Sequence, residues 1–195
     1  KIKETIHEDD ASLSPEDRKY GSSDIDLYAK WDDISEYRTN KFTVVNNKFF
    51  SFDIECYSKN HDSKLPDPTI PENKIFQIAC TIGNMGEKEM KMYLLTLGDP
   101  LPIKGVILKK CKNERQLLLE FANFINETDP DILMGFNIIK FDWQYILTRA
   151  EILHIFDKML QITRIIGKKA SEIKSDWNSS AYGDQQFRYV DPFGR

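Results

Sequence analysis

Cysteine, histidine and long apolar runs are scarce in this chain of 195 residues. The three cysteines are an odd number and lack the close spacing of metal-binding pairs, so neither a disulfide framework nor a thiolate metal site is expected. The three histidines are equally dispersed and show no zinc-ligand spacing. These absences exclude the disulfide-rich and zinc-stabilised classes of protein and predict free thiols at Cys56, Cys80 and Cys111.

The sequence also lacks a membrane-spanning or secretory segment. No apolar run reaches the roughly 18 residues of a membrane helix and no signal-peptide pattern occurs, which predicts a soluble, intracellular chain without a membrane partner. The net charge of −4 argues against a dedicated basic nucleic-acid-binding protein. The hydrophobic content of 41% suffices for one sizeable core and about one domain.

Two acidic residues interrupt an apolar segment that runs from Phe49 to Cys56. Because side chains alternate faces along a strand, Asp53 and Glu55 should project from one face while the residues between and before them pack on the other. Neighbouring carboxylates on a mostly buried strand cost several kcal/mol, and a hard divalent cation with oxygen ligands is the usual compensation. An edge strand or an ion pair would explain the same pattern without a metal site or a catalytic role.

A third acid, Asp142, follows in the stretch from Gly135 to Tyr145. It opens a helical pattern predicted to run to about Ile155, and the helix dipole alone favours an anion in a first turn. Asn137 lies on the turn before this helix and could simply cap it. Taken alone, this second stretch is compatible with a purely structural role.

The chain alternates extended and helical patterns after a polar N-terminal part. Residues 1–45 are predicted to be an arm or the end of a preceding domain, and residues 46–195 form the main domain. Extended segments are predicted near residues 43–46, 48–56, 74–82, 89–96 and 132–134, with a hairpin turn at 84–87. A helix should begin after the N-cap Asn113 and end at Asp129-Pro130. Residues 163–189 are polar and predict a long surface excursion.

The two acidic stretches together resemble the 3′ to 5′ exonuclease domain of family B DNA polymerases, closest to the replicative delta-like branch. Phe52-Asp53-Ile54-Glu55-Cys56 is similar to the first exonuclease motif of that family. The stretch from Gly135 through Asp142 to Tyr145 resembles the second, and Asp129-Pro130-Asp131 and Ile146 to Ala150 extend the similarity. The resemblance covers roughly residues 48–195 and implies an α/β, ribonuclease H-like mixed β-sheet flanked by helices.

This resemblance implies a proofreading activity that removes mispaired 3′-terminal nucleotides by two-metal-ion phosphodiester hydrolysis during DNA replication. Asp53, Glu55 and Asp142 would be the catalytic metal ligands for two Mg²⁺ ions, which Mn²⁺ can replace. Asn137 and Phe141 would contact the single-stranded DNA 3′ end. Three further aromatic residues are predicted to lie in the core, with base stacking as the alternative: Phe52, Phe136 and Trp143.

The third motif of the family, Tyr-x-x-x-Asp, does not follow the second motif in this sequence. We therefore expect a C-terminally truncated exonuclease domain from a larger DNA polymerase, with little activity of its own. Expected partners are primer-template DNA, polymerase domains of the same chain, and a sliding clamp or accessory subunits, in the nucleus or at a viral replication site. A stand-alone exonuclease of the same acidic-ligand class and a catalytically silent structural or DNA-binding module of a polymerase are the alternatives.

Overall fold

The computed structural model describes residues 3–5, 26–36, 45–59, 65–180 and 183–195. Near the N-terminus, β1 (Lys3–Thr5) pairs antiparallel with β2 (Asp26–Tyr28). The prediction of an arm covering residues 1–45 falls largely outside the described residues. Among the described residues, no helix is long and apolar enough to cross a membrane.

The centre of the domain is a five-stranded mixed sheet with the strand order β6-β5-β4-β3-β7. Strands β3, β4 and β5 are successive antiparallel neighbours, whereas the outer pairs β3 with β7 and β5 with β6 are parallel. Their bounds are Lys48–Cys56 for β3, Ile75–Asn84 for β4, Met90–Leu97 for β5, Val106–Cys111 for β6 and Ile132–Met134 for β7.

The described residues contain three α-helices: α1 (Glu114–Thr128) between β6 and β7, and then α2 (Asp142–Ile152) and the short α3 (Phe156–Met159) after β7. The side chain of Asn113 caps α1 by accepting a 2.9 Å hydrogen bond from the Gln116 backbone N–H, as predicted. The helix ends where Asp129 adopts a left-handed φ of 42°. The α/β class, with a mixed sheet and flanking helices, is therefore confirmed.

One face of the sheet and the helices enclose an aromatic core. Phe50 and Phe52 of β3 project toward α1, and the Phe52 ring lies 5.0 Å from the Phe121 ring and 5.2 Å from the Trp143 ring of α2. All four side chains are at most 3% exposed. Since burial of a large aromatic side chain contributes about 1.5 to 3 kcal/mol, this contact fixes both helices on β3.

Strands β8 (Ser171–Ser179) and β9 (Gly183–Asp191) form a separate antiparallel hairpin. It occupies the part of the chain that the sequence predicts to be a surface excursion. Arg188 of β9 joins the hairpin to α2, because its guanidinium donates hydrogen bonds to Glu151 at 2.5 Å and to the Thr148 hydroxyl at 3.1 Å. The hairpin is therefore held against the outer side of α2.

One predicted boundary differs from the structure, and one strand was not predicted. Helix α2 ends at Ile152 rather than near Ile155, because His154 adopts a left-handed φ of 54° that breaks the helix before α3 begins. Strand β6 was absent from the prediction because its second half is charged. Lys109 belongs there since its ammonium group lies 4.2 Å from the centre of the Phe124 ring and 2.9 Å from Glu120.

The predicted extended segment at residues 43–46 lies partly outside the described residues. Of its members within them, Val45 and Asn46 are not in a strand.

Candidate active site

The first two acids lie on the face of β3 that points away from the helices. Asp53 and Glu55 are both exposed, whereas Phe52 and Ile54 are buried in the core. This alternation agrees with the prediction that both carboxylates project from one face. Their exposure also means that neither bears the burial cost that an acid inside an apolar strand would suffer.

The third acid reaches β3 through a sharp turn after β7. Gly135 is necessary there because a Cβ atom at this position would lie 2.5 Å from the Phe52 carbonyl oxygen and 2.3 Å from Ile138. Asn137 then adopts a left-handed φ of 57°, and its carbonyl accepts hydrogen bonds from the N–H groups of Lys140 and Phe141. The turn places the first residue of α2 beside the middle of β3.

Asp142 lies at the edge of β3, level with Ile54. Its Oδ1 atom accepts a hydrogen bond of 3.1 Å from the Ile54 backbone N–H. Strand β7 ends at Met134, which pairs with Ser51, so the Ile54 N–H lies beyond the paired part of β3. The Asp142 carboxylate thereby accepts the hydrogen bond that a neighbouring strand would otherwise accept from Ile54. It lies next to the strand that carries Asp53 and Glu55.

Burial is the main reason that the pKa of Asp142 rises from its ordinary value of 3.8 to about 6. The hydrogen bond from Ile54 lowers it, while the negative charges of Asp53 and Glu55 raise it further. Both charges act on Asp142 because Ile54, whose N–H it accepts from, stands between Asp53 and Glu55 in β3. Asp142 itself is only 2% exposed.

The chemistry of these donors suits a hard divalent cation, since all are carboxylate oxygens and one is buried beside two anions. As they stand, however, the described residues contain no group of three or more His, Cys, Asp or Glu side chains that could hold a metal ion. Assignment of these residues as metal ligands therefore stays a prediction.

The residues predicted to bind a DNA 3′ end lie on or beside the same turn. Asn137 is exposed, whereas Phe141 is half-buried and its ring lies 5.7 Å from the Tyr145 ring. Of the three aromatic residues assigned to the core, Phe52 and Trp143 are buried, but Phe136 is 91% exposed. The prediction for Phe136 was wrong because the turn at Gly135 directs the chain away from the core before the helix begins.

A buried ion pair that the sequence did not reveal holds α2 in position. Arg149 of α2 binds Glu114 of α1 through two hydrogen bonds of 2.8 and 2.6 Å. Its guanidinium also donates to the carbonyl groups of Pro68, Ile70 and Pro71 in the loop before β4. Arg149 thus fixes the helix that begins at Asp142. Nothing in the sequence indicated this role, because an arginine at this point of a helix is usually exposed.

Tyr145 also fixes α2 against the sheet. The phenol is buried, donates a 2.8 Å hydrogen bond to the Asn73 carbonyl, and lies in hydrogen-bonding contact with Cys56. Burial raises the pKa of the Cys56 thiol to about 12, so this thiol is inert at neutral pH. Both residues therefore support the site without chemistry of their own.

The family model and the relatives that match this chain all point to the same protein family. The sequence model described as DNA polymerase family B, exonuclease domain, matches residues 5–191. The chain is 34% identical over 161 residues to DNA polymerase 120R of Invertebrate iridescent virus 3, which covers 81% of the chain and 14% of that protein. It is 34% identical over 149 residues to the DNA polymerase delta catalytic subunit of Oryza sativa subsp. japonica, covering 76% of the chain and 13% of that protein.

A third relative, the DNA polymerase of Acanthamoeba polyphaga mimivirus, is 32% identical over 166 residues, covering 85% of the chain and 9% of that protein. The chain thus spans only a small part of the length of the relatives it matches. The family model covers nearly the whole chain, in agreement with the resemblance predicted from the two acidic motifs. The chain therefore belongs to the exonuclease domain family of family B DNA polymerases.

Proposed function

We propose that this chain provides the proofreading 3′ to 5′ exonuclease of a family B DNA polymerase. The observation that carries the proposal is the position of Asp142, which is hydrogen-bonded to the backbone of Ile54 between Asp53 and Glu55. This bond brings Asp142 of one segment next to the strand that carries the other two acids. A stable fold gains nothing from such mutual repulsion, which favours a role in binding cations.

Asp53, Glu55 and Asp142 would hold two Mg²⁺ ions. When bound, such ions supply a water molecule activated for attack and stabilise negative charge on the phosphate and on the departing 3′ oxygen. Asp53 would hold the ions from the middle of β3, Glu55 would orient the ion that supplies the water, and Asp142 would hold an ion from the start of α2. Mn²⁺ would substitute, since it accepts the same oxygen ligands.

The residues of the turn would receive the substrate. Asn137 is exposed on a fixed left-handed turn, where its amide can donate to or accept from the terminal nucleotide. Phe141 is half-buried at the start of α2 and would form the floor beneath that nucleotide. The substrate would be a single-stranded 3′ end, because a terminal nucleotide that is still paired in a duplex could not lie against the residues of this turn.

The polymerase activity would belong to other domains of a longer chain, and primer-template DNA would be shared with them. A sliding clamp or accessory subunits would assist replication in the nucleus or at a viral replication site. The names of the matched relatives, a delta catalytic subunit and viral DNA polymerases, support this context.

The test is the double substitution Asp53→Ala with Glu55→Ala in the full-length polymerase. We expect loss of 3′-terminal degradation of a mispaired primer, with nucleotide addition unchanged, because the acids bind ions of a separate site and lie outside the core. Lys59→Ala with Glu72→Ala removes an exposed ion pair of 2.9 Å nearby and serves as the control. If the acidic variant still degraded the primer, or lost both activities together, the proposal would be wrong.

A second readout needs no catalysis. Titration of Mn²⁺ into the chain of 195 residues, followed by calorimetry, should give saturable binding that the double substitution removes. Binding that persists without Asp53 and Glu55 would place the ions elsewhere.

A further inference from the structure

A cleft of about 520 Å³ opens where α1 begins and α2 ends, beside the last residue of β5. One side of it is an apolar wall formed by Pro71, Leu97, Ile152 and Leu153. Ile152 is 40% exposed, and Leu97 and Leu153 are half-buried. A cleft of this size is large enough to hold side chains of a binding partner. Its apolar wall would gain free energy from being covered.

Three exposed cationic side chains line the same cleft and form a basic rim: Lys74, Lys112 and Arg115. None of the three forms an ion pair with another of the residues that the structure describes. Glu72, whose charge acts on Lys74, is itself paired with Lys59 at 2.9 Å. In a chain with a net charge of −4, the basic rim is therefore a local excess of positive charge.

The acid that lines this cleft does not cancel the charge of the rim. Glu114 is buried and accepts hydrogen bonds of 2.8 and 2.6 Å from the guanidinium of Arg149, which is buried as well. The remaining donors of Arg149 bind carbonyl groups of the loop before β4. This pair is neutral and fully hydrogen-bonded, so the free charges of the cleft are those of the basic rim.

The backbone that carries the basic rim is held in place by the fold. The Lys112 N–H donates a 2.8 Å hydrogen bond to the side chain of Gln116 in α1. The N–H of Ile75, which follows Lys74, donates a 2.9 Å hydrogen bond to the Glu114 carboxylate. A partner would therefore meet positive charges that are already arranged around the apolar wall, which lowers the entropic cost of binding.

We infer that this cleft binds an acidic peptide segment of a partner protein. An apolar side chain of the segment covers the apolar wall, and carboxylates on either side of it lie against the basic rim. A nucleic-acid strand fits less well, because its phosphates would pair with the cations but leave the apolar wall exposed. No aromatic side chain on which a base could stack is among the described residues that line the cleft.

The cleft is separate from the acids of the proposed exonuclease site. Asp142 begins α2 and Ile152 ends it, which places them about 15 Å apart along the helix axis. The inference therefore goes beyond the proposed function and does not depend on it. Substitution of Asp53 and Glu55 by alanine should leave peptide binding unchanged.

The test begins with an array of octapeptides that contain four acidic residues, two leucines and two serines in every order. In a matched array, asparagine and glutamine replace the acids, and in a second matched array serine replaces the leucines. The fluorescently labelled chain of 195 residues is applied to all three arrays. The peptide that retains most protein is then titrated with the wild type and with variants, and binding is followed by fluorescence anisotropy.

Two variants change the cleft and one serves as the control. Lys112→Glu with Arg115→Glu reverses two charges of the basic rim, and Ile152→Gln makes the apolar wall more polar. The control, Lys88→Glu with Lys104→Glu, reverses two exposed lysines that precede the parallel strands β5 and β6, at the opposite end of these strands from the cleft. All five side chains are exposed, so urea unfolding of the variants should match that of the wild type.

We expect the wild-type chain to bind peptides of the first array and neither matched array. The charge reversal in the basic rim should weaken binding by about tenfold or more, and Ile152→Gln by about fivefold. The control should bind as the wild type does. Absence of binding to the first array, or equal binding to all three arrays, would overturn the inference.

Two competitors distinguish a peptide from other anions. Oligothymidylate that binds more tightly than the best peptide, and that loses affinity on charge reversal at Lys112 and Arg115, would assign the cleft to nucleic acid and overturn the inference. Complete displacement of the peptide by inorganic phosphate, but not by NaCl of equal ionic strength, would show a simple anion site and overturn it as well. Retention of the peptide in the presence of both competitors supports the inference.

Discussion

The carboxylate of Asp142 accepts a hydrogen bond of 3.1 Å from the backbone N–H of Ile54, which lies 88 residues earlier in the chain. This contact joins the start of α2 to the strand that carries Asp53 and Glu55. It also takes one carboxylate out of water and places it beside two others. The pKa of Asp142 rises to about 6 as a result, mainly through burial.

We predict that Asp142→Asn stabilises the chain in EDTA at pH 8. The folded state binds a proton at Asp142 more readily than the unfolded state does, so this group favours folding most below pH 3.8, and that contribution is lost as the pH rises through about 6. Asparagine keeps the oxygen that accepts from Ile54 but carries no charge. After discounting for solvent screening, the gain in free energy of unfolding should be about 1 to 2 kcal/mol.

Urea unfolding at pH 8 and at pH 4.5 measures this effect. The gain should shrink at the lower pH, where the wild-type carboxyl is already protonated. Asp176→Asn, at an exposed carboxylate of the hairpin, is the control and should change stability little at either pH. If Asp142→Asn did not raise the free energy of unfolding, or raised it more at pH 4.5 than at pH 8, the raised pKa of Asp142 would be contradicted.

Divalent cations should raise the melting temperature of the wild-type chain. An ion bound among Asp53, Glu55 and Asp142 cancels their repulsion, and a concentration of ten times the dissociation constant would stabilise by about 1.4 kcal/mol, or roughly 3 to 6 °C. Differential scanning fluorimetry in MgCl₂, against NaCl of equal ionic strength, measures the shift. The double substitution Asp53→Ala with Glu55→Ala should abolish it, and an undiminished shift would mean that Mg²⁺ binds elsewhere.

Gly135→Ala should destabilise the chain by about 1 to 3 kcal/mol, the usual cost of overpacking. The new methyl group would lie 2.5 Å from the Phe52 carbonyl oxygen, and a backbone atom in the central sheet cannot move aside. Gly83→Ala is the matched control, because a Cβ atom there meets the Phe49 ring at 3.0 Å, which a side-chain rotation can relieve. In urea denaturation, the free energy of unfolding of Gly135→Ala should be well below that of Gly83→Ala. The reverse order would contradict the close contact of Gly135 with the Phe52 carbonyl.

Removal of Arg149 should be the most damaging of these changes. Arg149→Met leaves the Glu114 carboxylate buried without a cation, which costs about 3 to 5 kcal/mol. Combining Arg149→Met with Glu114→Gln should recover part of that loss, because the buried negative charge of Glu114 is then removed. The recovery is only partial because the carbonyl groups of the loop before β4 still lack the donors that Arg149 supplied. A double-mutant cycle by urea unfolding measures the coupling, and strictly additive effects would refute a coupled pair.

Local sequence determined much of the fold because the relevant interactions span only a few residues. Alternation in β3 placed Asp53 and Glu55 on one face, and the side chain of Asn113 set the start of α1. The left-handed residue at Asp129 ended that helix. The two acidic motifs indicated the family, which the match over residues 5–191 confirmed.

Tertiary structure decided what depends on residues far apart in the chain. The exposure of Phe136 follows from the contact of Gly135 with β3, and the high pKa of Asp142 follows from its burial against that same strand. Arg149 and Glu114 lie 35 residues apart and were recognisable as partners only once both helices were in place. Burial and charge pairing are set by these distant neighbours, whereas strand alternation and helix capping depend on consecutive residues.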